Sequence, residues 1–270
     1  MRLRHVCVYG FGMVAVAAMA ACGGSQQQAP ASSAPAAASS SSGGSAQVDA
    51  ATAGTVAGTI TVDGPVPANA DIKMNADPVC AKSVTTPQKM ETYMVGADGK
   101  SLGNVFVYVK EGLEGRTFDA PATAVTIDQK ECRYHPHVFG IQVGQPLEIL
   151  NSDPTLHNIH AVAKNNREFN NGQPIQNMKT THTFTAPEVM VPFKCDVHGW
   201  MNAYVGVLTH PFYAVSDMNG GFSLKGLPPG TYTIEAWHEK LGTMTQSVTI
   251  GEKETKNISF TFKVPAAAAD

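Results

Sequence analysis

The 270-residue sequence predicts an all-β fold, on three observations: short apolar or alternating runs, turn-forming residues between them, and no sustained helical period. The runs include Thr59-Ile60-Thr61-Val62, residues 104–109, residues 138–143 and Leu147-Glu148-Ile149-Leu150. Further runs follow at residues 203–208, 231–234, 247–250 and 259–262. They are rich in Val, Ile, Thr, Phe and Tyr, side chains that fit a pleated, half-buried surface. Asp63-Gly64-Pro65, Asn219-Gly220-Gly221 and Pro228-Pro229-Gly230 separate them with turn chemistry. Strands and turns in this alternation predict a sandwich or barrel.

Hydrophobic residues make up 43% of the chain and charged residues only 15%, which argues for a packed core rather than disorder. The formal net charge of -3 offers no basic excess to attract nucleic acid. Arg2 and Arg4 precede an uncharged apolar stretch at residues 6–21, short for a membrane span and suited to a signal peptide, residues 1–21. Met19-Ala20-Ala21-Cys22 resembles the lipobox of bacterial lipoproteins, with Met19 where Leu is usual. The resemblance implies that Cys22 is acylated and becomes the first mature residue; plain cleavage after Ala21 without a lipid is the alternative. It also implies outer-membrane sorting, because no Asp follows Cys22, and so a place in the cell envelope, on the periplasmic side or surface. Residues 22–53 are then a lipidated flexible tether, and Asp49 is their only charge. A coil of that length spans about 30 Å.

Five cysteines are present. Cys7 leaves with the signal and Cys22 takes the lipid, which leaves Cys80, Cys132 and Cys195 in an oxidising compartment. Cys80 and Cys132 lie in polar, turn-like contexts and are expected to form a disulfide; two buried free thiols are the alternative. Cys195 has a reason to stay reduced. Cys195, His198 and Met201 form C-x2-H-x2-M, putting a thiolate, an imidazole and a thioether on one short loop. These soft donors suit copper, and His157 is the candidate fourth ligand from a strand. Taken singly, each has a plainer reading: a buried thiol, a core methionine, a hydrogen-bonded histidine. His160, three positions from His157, falls on the opposite strand face and is not expected to be a ligand. His135 and His137 share a strand face, as a solvated pair or a second surface metal site. His182, His210 and His238 are expected to be structural.

Tyr134-His135-Pro136-His137, Val143-Gly144-Gln145, Asn151-Ser152-Asp153 and Leu156-His157-Asn158-Ile159-His160 resemble the N-terminal half of a cupredoxin. The closing Cys195-Asp196-Val197-His198-Gly199-Trp200-Met201 has the ligand spacing of the amicyanin-like members. The resemblance implies one type 1 copper ion, with His157, Cys195 and His198 in the trigonal plane and Met201 axial. It implies that Asn158 ties the two ligand loops together. It further implies that His198 sits at an exposed apolar surface with Trp200, where electrons leave for a redox partner protein; the amicyanin likeness suggests a quinoprotein dehydrogenase as donor.

Gly54-Thr55-Val56-Ala57-Gly58-Thr59-Ile60, Gly220-Gly221-Phe222-Ser223-Leu224 and Gly226-Leu227-Pro228-Pro229-Gly230-Thr231-Tyr232 resemble the carboxypeptidase-regulatory-like, transthyretin-like β-sandwich. That likeness implies a split sandwich, begun by residues 54–117 and finished by residues 212–264. A cupredoxin domain at residues 118–211 is inserted between them, and a tail covers residues 265–270. Two domains in series, with residues 54–117 as extra strands on the copper domain, are the alternative. The sandwich resemblance implies a scaffold, and no H-x-x-E zinc-peptidase pair occurs. The function expected is non-enzymatic, single-electron transfer by a tethered copper protein; a periplasmic copper carrier or store is the alternative. Multicopper enzymes need H-C-H, whereas Lys194 and Asp196 flank Cys195.

Overall fold

The computed structural model describes residues 48–265, so the signal peptide, Cys22 and most of the tether lie outside the described residues. In chain order the first elements are strand β1 (Gly54–Asp63), helix α1 (Pro78–Ser83), a short pair β2 (Met94–Val95) and β3 (Leu102–Gly103), and β4 (Phe106–Glu111). Nine strands follow: β5 (Val125–Lys130), β6 (Arg133–His135), β7 (Val138–Gln142), β8 (Pro146–Asn151), β9 (His157–Ala161), β10 (Phe169–Gln173), β11 (Met178–Thr183), β12 (Glu188–Lys194) and β13 (Asn202–Leu208). The last are β14 (Tyr213–Val215), β15 (Gly221–Leu227), β16 (Gly230–His238), β17 (Gly242–Ile250) and β18 (Thr255–Lys263).

The fold is all-β, built as two sandwiches. In the first, the sheet β15-β1-β18 faces the sheet β14-β4-β16-β17. β1 runs parallel to β18 and antiparallel to β15, so the first strand of the described chain is held between strands from its end. Val56, Ile60 and Val62 alternate inward from β1 onto Val107, Val109, Ile234, Ala236, Phe260 and Phe262. Gly58 lies between them because a Cβ there would fall 1.9 Å from the Ile258 carbonyl oxygen.

In the second sandwich, β10-β9-β12-β13-β7 packs on β11-β8-β5-β6. β8 buries Leu147, Ile149 and Asn151 on alternate positions, the period of a strand with one face in the core. Phe184, Phe193, Val205, Val207 and Tyr134 fill the same core. β10 and β11 read as polar, and their alternation of half-buried and exposed residues explains why no apolar run marks them in the sequence.

The two sandwiches meet through the outer faces of β4 and β14 on one side and β7 and β13 on the other. Gly140 and Gly206 are register partners there. A Cβ on Gly206 would lie 2.3 Å from Phe106, and one on Gly140 would lie 2.3 Å from Tyr213. The paired glycines thus make a flat seat for the stacked Phe106 and Tyr213 rings. His137 closes the edge of this interface, its Nε2 lying 2.7 Å from Glu239 Oε1 and its Nδ1 3.1 Å from the Asn202 carbonyl oxygen. Neither the solvated His135–His137 pair nor a second metal site is formed: His137 is buried, while His135 hydrogen-bonds the Lys130 carbonyl.

Between β1 and β4 the chain leaves the first sandwich and covers one end of the second. Met74 and Cys80 bury themselves in the second core. Asp77 starts α1: its Oδ1 accepts from the Val79 and Cys80 N–H groups, and Pro78 occupies the first turn, where a missing N–H costs nothing. Cys80 and Cys132 form a disulfide that pins this segment to the β5–β6 turn.

Candidate metal centre

The site lies at the end of the second sandwich that residues 71–84 cover. β9 opens with His157, which is completely buried. Cys195 directly follows β12, and the chain then turns tightly into β13. The Cys195 N–H donates to the Met201 carbonyl oxygen, the Met201 N–H to the His198 carbonyl oxygen, and the His198 N–H to Cys195 Sγ at 3.4 Å. These bonds pull the loop back on itself and aim His198 at His157.

Ligand-type atoms of His157, Cys195 and His198 all lie within 4.8 Å of one another, and all three residues are buried. His157 Nδ1 and His198 Nδ1 are 2.9 Å apart, and Cys195 Sγ is 3.9 Å from His198 Nδ1. On the far side of each ring, Nε2 meets a carboxylate. His157 Nε2 is 2.9 Å from Asp153 Oδ2, and His198 Nε2 is 3.0 Å from Asp77 Oδ2. A carboxylate only accepts, so each pairing puts the ring proton on Nε2 and turns a bare Nδ1 lone pair inward. Two Nδ1 atoms and a sulfur then face one point, an arrangement that a proton or a metal cation completes.

The charge balance points the same way. Burial pushes the Cys195 thiol up, but hydrogen bonding to His157 and backbone N–H groups outweighs it and holds the thiol below its ordinary value. Burial lowers His157, yet Asp153 and the Cys195 sulfur leave it above the ordinary imidazole value. Burial, with repulsion from His157, keeps His198 below that value despite Asp77. Two carboxylates back the two imidazoles, and a thiol held below its ordinary value faces them, a donor set to which a soft cation is complementary. Thiolate and imidazole donors fit copper.

Asn158 joins the two ligand stretches. Its Oδ1 accepts from the Asp196 N–H at 2.8 Å and from Cys195 Sγ at 3.2 Å, and its Nδ2 donates to Asn170 Oδ1. Met201 is buried in the same core cluster. His160 points away to Glu168 and Asp196.

One expectation needs correction. His198 and Trp200 do not form an exposed apolar exit surface: His198 is only 3% exposed, because Asp77 and α1 lie over its Nε2 edge. Trp200 is half-buried and donates its indole N–H to the Cys132 carbonyl oxygen. Sequence reasoning also missed Asp77 and Asp153 as partners of the ligand histidines. The Asp77-Pro78 helix start and the Asp153-Pro154 turn were visible signals, but neither says which histidine the carboxylate faces.

No protein-family model matches the chain, and no curated protein does. Among solved structures it is similar to a copper-containing nitrite reductase from Thermus scotoductus SA-01, with 17% identity over 57% of this chain and a TM-score of 0.31. The chain spans 28% of that protein's length. A purple cupredoxin from Nitrosopumilus maritimus matches at 22% identity, covering 31% of this chain and 98% of the other, with a TM-score of 0.27. A copper(I) form of an amicyanin variant matches at 20% identity, covering 37% and 97%, with a TM-score of 0.29. One of these similar structures is a reductase, so the expectation of a chain without catalysis is not carried forward.

Proposed function

We propose that the chain holds one copper ion between His157, Cys195 and His198, with Met201 as a weaker contact, and passes single electrons between redox partner proteins. The observation that carries this reading is the inward convergence of two imidazole Nδ1 atoms and one sulfur at a buried point. Bound copper supplies a one-electron couple between Cu(I) and Cu(II). The chain's own residues keep the donors still while that charge changes. Asn158 fixes the Cys195 loop against β9, the carboxylates fix both imidazoles, and the core around Met201 and Phe193 excludes water. A lipid on Cys22 and the tether of residues 22–53 keep the protein at a membrane of the cell envelope, the outer membrane in this reading.

The test is the visible spectrum of the purified protein with Cu(II). A strong thiolate charge-transfer band that Cys195→Ser removes, together with reversible voltammetry, is the expected result. A spectrum unchanged by Cys195→Ser overturns the proposal.

A further inference from the structure

Each ligand histidine is backed by one carboxylate, and each carboxylate is tied to one half of the same disulfide. Asp153 is 5% exposed and accepts the Glu131 and Cys132 N–H groups at 2.8 Å, besides facing His157. Glu131 and Cys132 both have positive φ, near 54°, as the two central residues of the β5–β6 hairpin turn. Asp77 accepts the Cys80 N–H at 3.3 Å and the Thr155 hydroxyl at 3.1 Å, besides facing His198. Cys80 Sγ itself lies 3.6 Å from His198 Nε2. Thr155 belongs to the loop that carries Asp153, so the two carboxylate-bearing segments also touch directly.

We infer that Asp77 and Asp153 are positioning residues that set the charge state favoured by the metal centre, and that the Cys80–Cys132 disulfide holds both in place together. The inference rests on the copper reading above. An anion hydrogen-bonded to the outer nitrogen makes an imidazole a stronger donor, and a stronger donor favours the more highly charged ion. Both carboxylates therefore stabilise Cu(II) over Cu(I) and lower the reduction potential. The disulfide matters because Asp77 comes from the segment between β1 and β4, 76 positions before Asp153 in sequence numbering. Without the covalent link only noncovalent contacts hold Asp77 over His198.

The experiment is voltammetry and Cu(II) competition titration on the full folded protein and on Asp77→Asn, Asp153→Asn and the Cys80→Ser/Cys132→Ser double variant. Asp77→Asn is the cleanest, because Asn caps a helix as well as Asp while removing the charge and the acceptor from His198. The expected result is a raised potential and Cu(II) affinity weakened about 10- to 100-fold, with the Cys195 charge-transfer band retained. Asp77→Asn added to the disulfide variant is expected to change the potential less than in the intact protein. Unchanged potentials in both Asn variants, with the band present, overturn this inference and leave the copper reading standing. Full additivity overturns the coupling through the disulfide. Absence of the band in the unmodified protein overturns the copper reading and this inference with it.

Discussion

His198 Nε2 lies 3.0 Å from Asp77 Oδ2, although 121 positions of sequence separate them. The contact closes the metal-site end of the second sandwich with a segment that departs from the first. One carboxylate therefore serves two structural tasks, capping α1 and covering a ligand histidine.

Asp77→Ala removes both. The lost cap costs about 1 kcal/mol of stability. Chemical denaturation measures that loss, and faster modification of His198 by an imidazole-specific reagent in the metal-free variant reports the opened edge.

Met201→Leu separates packing from ligation. Met201 is buried and Leu is near it in volume, so the fold is retained at a cost under about 1.5 kcal/mol. The copper-loaded variant keeps its colour and shifts its potential. Bleaching instead means that Met201 is more than a weak contact.

Gly206→Ala tests the seat between the sandwiches. Its Cβ would fall 2.3 Å from the buried Phe106 ring, and overpacking of this kind costs about 1–3 kcal/mol. Phe106→Leu in the same chain relieves the clash. A double-mutant cycle on thermal unfolding reads this as a favourable coupling between the two positions.

The disulfide closes a loop with a sequence separation of 52, for which the chain-entropy argument gives about 4 kcal/mol. Cys80→Ser/Cys132→Ser is expected to lower the denaturation midpoint by a corresponding amount, measured on metal-free protein so that copper binding does not compensate.

Acid weakens the first sandwich through buried histidines. Burial pushes His210 and His238 down to about 4. The unfolded chain takes up protons on them below about pH 6.5, while the folded chain resists until about pH 4. Their contribution is therefore intact above pH 6.5 and falls as pH drops towards 4, by roughly 3 kcal/mol for each at 1.36 kcal/mol per unit. His210 Nε2 donates to the Val109 carbonyl oxygen, a bond that an amide also makes. His210→Gln should flatten the slope of stability between pH 6.5 and 4; an unchanged slope assigns the acid sensitivity to other groups.

Strand content was legible because its signals are local. Alternation in Leu147-Glu148-Ile149-Leu150 and the turn at Asn219-Gly220-Gly221 need no distant partner to be read. Polar edge strands β10 and β11 were not legible, since solvent on one side leaves no apolar run. Helix α1 was missed although Asp77-Pro78 is a good start signal, because six residues are too few for a helical period.

For the site, the spacing of Cys195, His198 and Met201 is a property of one short loop, so residue order alone determined that three soft donors share it. His157 could be named beforehand because the motif around Asn158 accompanies it. What only the tertiary structure decided is which groups lie behind those donors: Asp153 on His157, Asp77 on His198, and a disulfide joining the two. A carboxylate acts through space over about 3 Å, and no local pattern records which of the chain's acids folding will bring that close.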